Sequence, residues 1–221
     1  MTDVTSLLIS DMGERAVLCQ LPPAALSLQM QERFWALSEE LETFEGVGET
    51  IHGMNNLLIG YDANILSRDA LVTHITRLWS NANGRPRAGK LIEIPVRYGG
   101  TYGEDLPALA QSKGLSTEEF VRLHVGGDYI VYALGSQPGF GYLGGLDPLL
   151  STPRRDTPRL SVKAGSVIIG GDQTAVQART SPSGWHVIGE TDLEFFNIDH
   201  SSPALLVPGD RVRFIIEDIL S

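Results

Sequence analysis

Apolar residues recur at helical spacing in two segments of the first third of the chain. Five of them follow Pro22 and Pro23 at intervals of three or four residues: Leu26, Met30, Phe34, Leu37 and Leu41. This spacing predicts an amphipathic helix. The same pattern predicts a second helix, which contains Leu71, Ile75, Leu78 and Trp79 after the candidate caps Ser67 and Asp69. Short apolar runs at residues 16–19 and 57–59 predict strands. The simplest arrangement is a small sheet with both helices on one face.

The pattern changes near residue 86. Ten of the twelve prolines lie from Pro86 onward, and 17 of the 24 glycines follow residue 89. Short apolar runs between such turn residues predict strands at residues 91–100, 130–133, 167–169, 175–178, 185–188 and 212–216. Pro95 restricts the first of these strands to an edge or bulged position, because proline has no amide hydrogen. The second part of the chain therefore predicts a closed or nearly closed β-barrel.

Two short helices are predicted within this second part. The first spans residues 106–112 and stops before Gly114. The second begins after Ser116, which with Glu119 forms a capping-box pattern, and ends around His124. Residues 81–90 have the composition of a linker. We therefore predict an α+β protein, with a small α/β domain (a sheet with two helices) at residues 1–85 and a β-barrel domain at residues 86–221.

A segment rich in glycine joins two of the predicted strands. The stretch "GSQPGFGYLGGLD", residues 135–147, holds five glycines and a proline among apolar side chains. Glycine permits positive φ and close approach, while aromatic and leucine side chains hold a loop in place. We predict an ordered, irregular loop in which Phe140 and Leu146 are buried. Such loops occur both at binding sites and at barrel corners.

The segment after this loop is positively charged within an acidic chain. Residues 147–163 carry four cations and two acids, whereas the whole chain has a formal net charge of −10. Arg154 and Arg159 each follow a proline, which restricts the backbone. A guanidinium binds two oxygens at once, so the pair is a candidate site for a carboxylate or a phosphate. The alternative is a pair of surface arginines bonded to Asp147 and Asp156.

Three other polar residues are candidates for the site. His124 lies at the predicted C-terminal end of a helix, where the helix dipole favours a protonated imidazole. It is a candidate general acid or base, or else it only satisfies helix carbonyls. Gln173 and Thr174 lie beside a glycine turn, where they contact a ligand or stabilise the turn.

Composition excludes several classes of function. The net charge of −10 argues against nucleic-acid binding, which depends on Lys and Arg. The sequence has no apolar run of about 20 residues and no signal-peptide pattern, so we predict a cytoplasmic protein that does not bind membranes. A single cysteine, Cys19, cannot form an intramolecular disulfide, and the scattered histidines give no metal-binding motif. The glycine-rich stretch "AGSVIIGGDQT" lacks the Gly-Lys-Ser/Thr of a Walker A loop.

Three stretches carry a longer combined pattern: "QPGFGYLGGLDPLLSTPRRDTPRLSVKAGSVIIGGDQT", "SPSGWHVIGET" and "LLVPGDRVRF". With "IPVRYGG" and "GLSTEEFVRLH" they resemble the family of the 5-oxoprolinase B subunit, also described as allophanate hydrolase subunit 1 and as a sporulation histidine-kinase inhibitor. The resemblance extends over nearly the whole chain. It implies a cyclophilin-like β-barrel after a small α/β domain.

The resemblance also implies site residues. Its loop motif, arginine element and later motifs, together with the residue analysis, give a candidate substrate-binding set of Pro138, Gly139, Phe140, Tyr142, Gly145, Arg154, Arg159, Gln173 and Thr174. His124 is the candidate catalytic residue. The chain departs from the family pattern at four positions: Gly141, Ser183, Glu190 and Asp192 stand where the family has Pro, Gly, Arg and Pro. The absence of this arginine argues against binding of the family's anionic ligand in the same way.

The resemblance further implies partners. Family members pair with a homologous C-type barrel subunit and, with a larger hydrolase subunit, convert 5-oxoproline to glutamate using ATP. ATP would act through the assembled complex, with no cofactor held by this chain alone. The lactam carbonyl would need activation, for which phosphorylation is one route. Two alternatives follow from the same family: a regulator that binds a sensor histidine kinase, and a subunit of a urea or related amide-carboxylating system.

Overall fold

The computed structural model describes residues 6–24, 26–81, 84 and 86–220. The chain divides into two compact units, Met1–Arg87 and Ala88–Ser221. The division falls inside the segment whose composition predicted a linker, although Ala82, Asn83 and Arg85 of that segment lie outside the described residues.

The first unit is a four-stranded antiparallel sheet with two helices. The strands are β1 (Leu8–Asp11), β2 (Ala16–Gln20), β3 (Val47–Gly53) and β4 (Asn56–Tyr61), in the order β1-β2-β4-β3. The helices are α1 (Leu28–Leu41) and α2 (Arg68–Asn81). Alternate residues of β2 and β4 join the helices in one buried cluster, which includes Val17, Cys19, Leu57, Ile59, Phe34 and Leu71. The predicted sheet with both helices on one face is confirmed.

Two strands of this sheet were not predicted. β1 and β3 are the two edge strands of the sheet, and all their residues are exposed or half-buried. Neither strand therefore shows a clear alternation of apolar and polar residues, which is the signal for a half-buried strand. Their pairing with β2 and β4 places them in the sheet.

The second unit is a closed seven-stranded barrel. Its strands are β5 (Leu91–Gly99), β6 (Tyr129–Leu134), β7 (Gly141–Gly144), β9 (Ser166–Gly170), β10 (Gln173–Val176), β12 (His186–Glu190) and β13 (Arg211–Leu220). The order is β10-β7-β6-β13-β5-β12-β9, and β9 pairs with β10 to close the barrel. β8 (Arg159–Val162) and β11 (Ser181–Ser183) form a separate two-stranded ribbon. The predicted α+β class with a closed barrel is confirmed.

The barrel carries two short α-helices and one 3-10 turn. They are α3 (Leu106–Ser112), α4 (Thr117–Val125) and the turn at Pro148–Leu150. The capping box before α4 is confirmed, because the Ser116 hydroxyl accepts from the Glu119 amide and the Glu119 carboxylate accepts from the Ser116 amide. Pro95 pairs with β13, while β12 pairs with β5 only at Arg97 and Tyr98. Pro95 thus occupies a one-sided part of β5, as predicted.

The glycine-rich segment differs from the prediction in one respect. Phe140 and Leu146 are buried, as expected, but residues 141–144 form strand β7 and are not an irregular loop. The glycines in this strand allow close packing: a Cβ on Gly141 would lie 2.9 Å from Leu206, and one on Gly144 would overlap the ring of Tyr132. Strand glycines of this kind mark close approach of neighbouring groups.

Phe140 offers a test of this packing. It is 5% exposed and lies in a second apolar cluster on the outer face of the barrel, with Ile168, Trp185 and Val187. We expect Phe140→Ala to lower the free energy of unfolding by about 3 kcal/mol or more, as is usual for large-to-small core substitutions. Urea unfolding of the variant and the wild type measures this difference in the free energy of unfolding. Leu160→Ala, at a side chain that is 89% exposed, is the control, and equal stability of the two variants would contradict the packed position of Phe140.

Candidate functional site

A cleft of about 280 Å³ opens on the outer face of the barrel domain. Three segments line it. The glycine-rich segment contributes Ser136, Phe140 and Tyr142; the arginine segment contributes Arg154, Arg155 and Pro158; and the chain from β10 to β12 contributes Gln177, Pro182, Ser183, Gly184 and Trp185. Ser136 has a φ of 61°, a left-handed conformation that is uncommon outside glycine. The cleft thus joins three sequence-predicted residues, Phe140, Tyr142 and Arg154.

Three aromatic rings form one wall of the cleft. Phe140 and Tyr142 meet edge to face with centroids 4.9 Å apart, and Trp185 lies 6.1 Å from Phe140 and 6.3 Å from Tyr142. Such edge-to-face pairs add to the stability gained from burial. Trp185 can occupy its position because Gly170 lies beneath it, where a Cβ would come within 2.6 Å of the indole. The wall is therefore fixed by packing before any ligand binds.

Arg154 is the cation available in the cleft. Its guanidinium carbon lies 5.7 Å from the centre of the Trp185 ring, and the residue is exposed. Within the described part of the chain, no carboxylate lies within ion-pair distance of it. A guanidinium beside an aromatic face and without a carboxylate partner can bind an anion that carries an apolar body.

The neighbouring arginines are bound to Asp105. Arg159 donates from Nη1 to Asp105 Oδ2 at 2.7 Å and from Nη2 to Oδ1 at 2.9 Å, and Arg155 donates from Nη1 to Oδ1 at 2.9 Å. The Val187 amide donates to Oδ2 at 2.7 Å. We call this set of Asp105, Arg155, Arg159 and the Val187 amide the Asp105 junction.

The Asp105 junction corrects part of the sequence-based prediction. The alternative hypothesis, that these arginines form ion pairs, holds for Arg159, but its partners are Asp105 and, through Nε at 3.0 Å, Glu104. The expected partners Asp147 and Asp156 do not pair with it. Arg159 does not line the cleft. Its placement argues against a role as a substrate ligand and in favour of a structural ion pair.

The junction keeps Asp105 ionised. Burial by itself would raise the pKa of this carboxyl, but the hydrogen bonds from Arg159 and the Val187 amide, with the charges of Arg159 and Arg155, outweigh it, so the pKa lies below its ordinary value. Asp105 also stands at the N-cap of α3 without a side-chain capping bond, because its oxygens are used by the junction.

His124 lies in the barrel core and does not face the cleft. It is fully buried, and its Nδ1 and Nε2 lie 2.9 Å from the Tyr98 hydroxyl and 3.0 Å from Thr174 Oγ1. Thr174 donates its own proton to the Ile168 carbonyl at 3.0 Å, so it accepts from His124 Nε2, and Nδ1 accepts from Tyr98. Thr174 is itself fully buried.

This environment overturns the predicted protonated imidazole. Burial lowers the pKa of His124 from its ordinary value to about 3, so the ring is neutral. With both nitrogens bonded inside the core, the placement argues against His124 as a general acid or base and against Thr174 as a substrate ligand.

The other predicted residues do not line the cleft. Pro138 is exposed, and Gly139 and Gly145 have positive φ values of 80° and 109° at the two ends of the strand-forming segment. A Cβ on Gly139 would lie 2.5 Å from the Phe195 carbonyl. Gln173 begins β10 opposite Gly170. Since none of these four residues lines the cleft, their position gives no support to the prediction that they bind substrate.

Most residues that line the cleft were not predicted as site residues, among them Trp185, Gln177 and Arg155, and neither was Asp105 of the junction. Trp185 follows Gly184 in a turn-rich stretch, which is a signal for an aromatic at a loop surface, but its apolar neighbours predicted a strand there. Asp105 precedes α3 and has the pattern of an ordinary helix cap. Its actual partners are 50, 54 and 82 residues away, so no local pattern indicates them.

The departures from the family pattern at positions 190 and 192 lie away from the cleft. Glu190 is buried and accepts from Lys163 at 2.7 Å, with Arg97 at 3.7 Å; Asp192 accepts from Arg97 at 2.7 Å. These acids neutralise two cations outside the cleft. Neither acid pairs with Arg154.

Comparison with known proteins identifies the family. Residues 7–206 match the model of the carboxyltransferase domain, subdomain C and D. The chain belongs to this family. It is 42% identical to the 5-oxoprolinase B subunit of Haemophilus influenzae over 211 residues, which are 96% of this chain and 98% of that protein. It is 45% identical to the 5-oxoprolinase B subunit of Escherichia coli O157:H7 over 204 residues, which are 92% of this chain and 93% of that protein.

Solved structures share the fold. The urea amidolyase of K. lactis superposes with a TM-score of 0.83 at 19% identity, covering 99% of this chain and 15% of that one. A conserved uncharacterized protein of Pyrococcus horikoshii is 37% identical, with a TM-score of 0.57 and coverage of 96% and 98%. The first likeness shows the fold alone.

Two kinds of feature are absent from the described residues. No group of three or more of their His, Cys, Asp or Glu side chains is placed to hold a metal ion. None of the helices in this part of the chain combines the length and apolar character needed to cross a membrane.

The buried histidine predicts a pH dependence of stability. The unfolded chain binds a proton at His124 near its ordinary pKa, while the folded chain does so only near pH 3. Stability is therefore fully present above the unfolded pKa and falls as the pH drops below it, by about 1.4 kcal/mol per pH unit for this one proton. Urea unfolding of the wild type and His124→Gln between about pH 7 and pH 5 measures this. The wild type should show the steeper loss, and parallel curves would contradict a neutral buried imidazole.

Proposed function

We propose that this chain is the B-type component of a 5-oxoprolinase complex and that its cleft binds 5-oxoproline. The observation that carries the proposal is the identity of 42–45% over almost the full length to proteins named as the B subunit of 5-oxoprolinase. The cleft supports it independently, because Arg154 without a carboxylate partner in the described part of the chain stands beside an aromatic wall.

The chemistry of the cleft suits this molecule. 5-Oxoproline is a small five-membered lactam with one carboxylate. Arg154 would bind the carboxylate through two hydrogen bonds, and the rings of Tyr142 and Trp185 would contact the apolar ring carbons. The cleft combines an aromatic wall with several polar groups, and both kinds of group are found in small-molecule binding sites.

Ring opening is proposed to occur in the assembled complex with ATP. A phosphoryl group would pass from ATP to the lactam oxygen and release ADP. Water would attack the activated carbon and the C–N bond would break, which leaves an acyl phosphate at the new side-chain carboxyl. A second water would hydrolyse this acyl phosphate to give glutamate and phosphate. The sequence contains no Walker A loop, so we assign the nucleotide to the partner subunits. The role of this chain would be to bind and orient the carboxylate end of the substrate.

A second candidate function is favoured by the family itself. The matching model describes a carboxyltransferase domain, and the fold is shared with a urea amidolyase. An amide-carboxylating complex would also handle a small amide. A docking role on a histidine kinase, expected from the resemblance, stays a prediction.

We expect the purified chain alone to have no 5-oxoprolinase activity. Activity should appear only with a homologous C-type subunit and a larger hydrolase subunit, because the chain supplies no nucleotide loop. The measurement is glutamate formation from 5-oxoproline with and without ATP, for the chain alone and for the reconstituted complex. ATP-dependent turnover by the chain alone would refute the assignment of ATP to the partners. Biotin-dependent carboxylation of urea by the complex, without 5-oxoproline turnover, would favour the second function.

Arg154 should dominate the binding of 5-oxoproline. We expect Arg154→Ala to weaken it by roughly 1.5 to 3 kcal/mol, or about 10- to 150-fold, the scale of a charge-assisted hydrogen bond. Arg154→Lys should recover part of the loss, because an ammonium keeps the charge without the planar pair of donors. Calorimetric titration of the assembled complex measures this. Arg122→Ala, at an exposed arginine of α4, is the control, and equal affinity of Arg154→Ala and wild type would refute the role of Arg154.

A further inference from the structure

Two arginines line the cleft, but only one has its charge available. Arg154 has no carboxylate partner in the described part of the chain, whereas Arg155 donates to Asp105 Oδ1 at 2.9 Å. The Arg155 backbone amide is also held, by the Gly184 carbonyl at 2.7 Å. The second cation of the cleft is therefore fixed in place and neutralised from within the chain.

We infer that Asp105 sets the charge selectivity of the cleft, so that it accepts an anion with one negative charge and discriminates against a dianion such as phosphate. The inference rests on the proposed function, which supplies the monocarboxylate. Two free guanidinium groups side by side would match a phosphate, whose oxygens suit several charge-assisted hydrogen bonds. One free guanidinium matches one carboxylate.

The geometry shows that Asp105 is built for this task. Its side chain is 12% exposed, and four hydrogen bonds converge on its two oxygens. The Arg159 guanidinium and the Val187 amide make three of these four bonds, and Arg155 makes the fourth. Asp105 is therefore oriented mainly by groups outside the cleft, with one oxygen placed to bind Arg155.

The chain offers a matched control in the adjacent acid. Glu104 is 60% exposed and pairs at 3.0 Å with Arg159, which does not line the cleft. Glu104→Gln removes the same charge as Asp105→Asn at a neighbouring position. It does not release Arg155.

The test is calorimetric titration of the full-length chain, alone and in the complex, with 5-oxoproline and with inorganic phosphate at about pH 8, where phosphate is chiefly a dianion. We expect the wild type to prefer 5-oxoproline by at least about tenfold, and Asp105→Asn to raise phosphate affinity by about tenfold or more relative to 5-oxoproline. Glu104→Gln should leave the ratio at the wild-type value. The double variant Asp105→Asn with Arg155→Ala should lose the gain.

The outcomes separate this inference from the proposed function. An unchanged ratio in Asp105→Asn, or an equal gain in Glu104→Gln, would overturn the inference, since a merely structural role would weaken both ligands together. If Asp105→Asn does not fold, the ratio of the two wild-type affinities tests the inference. Phosphate binding to the wild type as tight as 5-oxoproline binding would overturn the inference. If 5-oxoproline binds no wild-type protein at all, the proposed function fails, and the absolute gain of phosphate binding in Asp105→Asn still decides the inference.

Discussion

The cleft depends on one partly buried carboxylate. Asp105 lies at the start of α3, yet it accepts from the amide of Val187 on β12, from Arg155 in an irregular segment and from Arg159 where that segment enters β8. An irregular segment has no ladder of backbone hydrogen bonds to fix it, so side-chain bonds must supply the order. Because charge-assisted bonds are about twice as strong as neutral ones, this single group can hold the segment that presents Arg154. A neutral side chain at position 105 would leave two partly buried cations without this counter-charge.

Alternate side chains of the barrel strands face either the barrel core, which holds His124, or the outer face, which holds the cleft. On β9, Val167 and Ile169 point into the main core, while Ile168 joins the outer cluster with Trp185. On β10, Thr174 faces inward to His124, and the next residue, Ala175, faces the cleft side. A shift of one residue in strand register would turn the inward side chains outward and the outward side chains inward. This is why two adjacent polar candidates in the sequence, Gln173 and Thr174, have different surroundings and why His124 lies away from the aromatic wall.

Much of the fold could be predicted from the sequence, and less of the site. Helices α1 and α2 follow from regular apolar spacing, and the capping box at Ser116 marks the start of α4. These signals are local. The site depends on contacts between distant segments: Arg154 could be predicted because its proline and charge context is local, whereas Asp105 gains its role only from partners at least 50 residues away. For His124, the local signal was correct but misleading. Its position at a helix end was predicted, whereas its charge depends on burial in the core, where its partners Tyr98 and Thr174 come from distant segments.

The charge of the whole chain explains why a complex matters for anion binding. With a formal net charge of −10, the protein repels anions at long range. Arg154 is exposed, so water and salt weaken its attraction over a screening length of about 8 Å. The isolated cleft therefore offers the right groups in a high-dielectric setting. A partner subunit that covered the cleft would exclude water and lower the effective dielectric constant, and the same guanidinium would then bind a carboxylate several times more strongly. Under the proposed function, assembly would strengthen substrate binding without moving any residue of this chain.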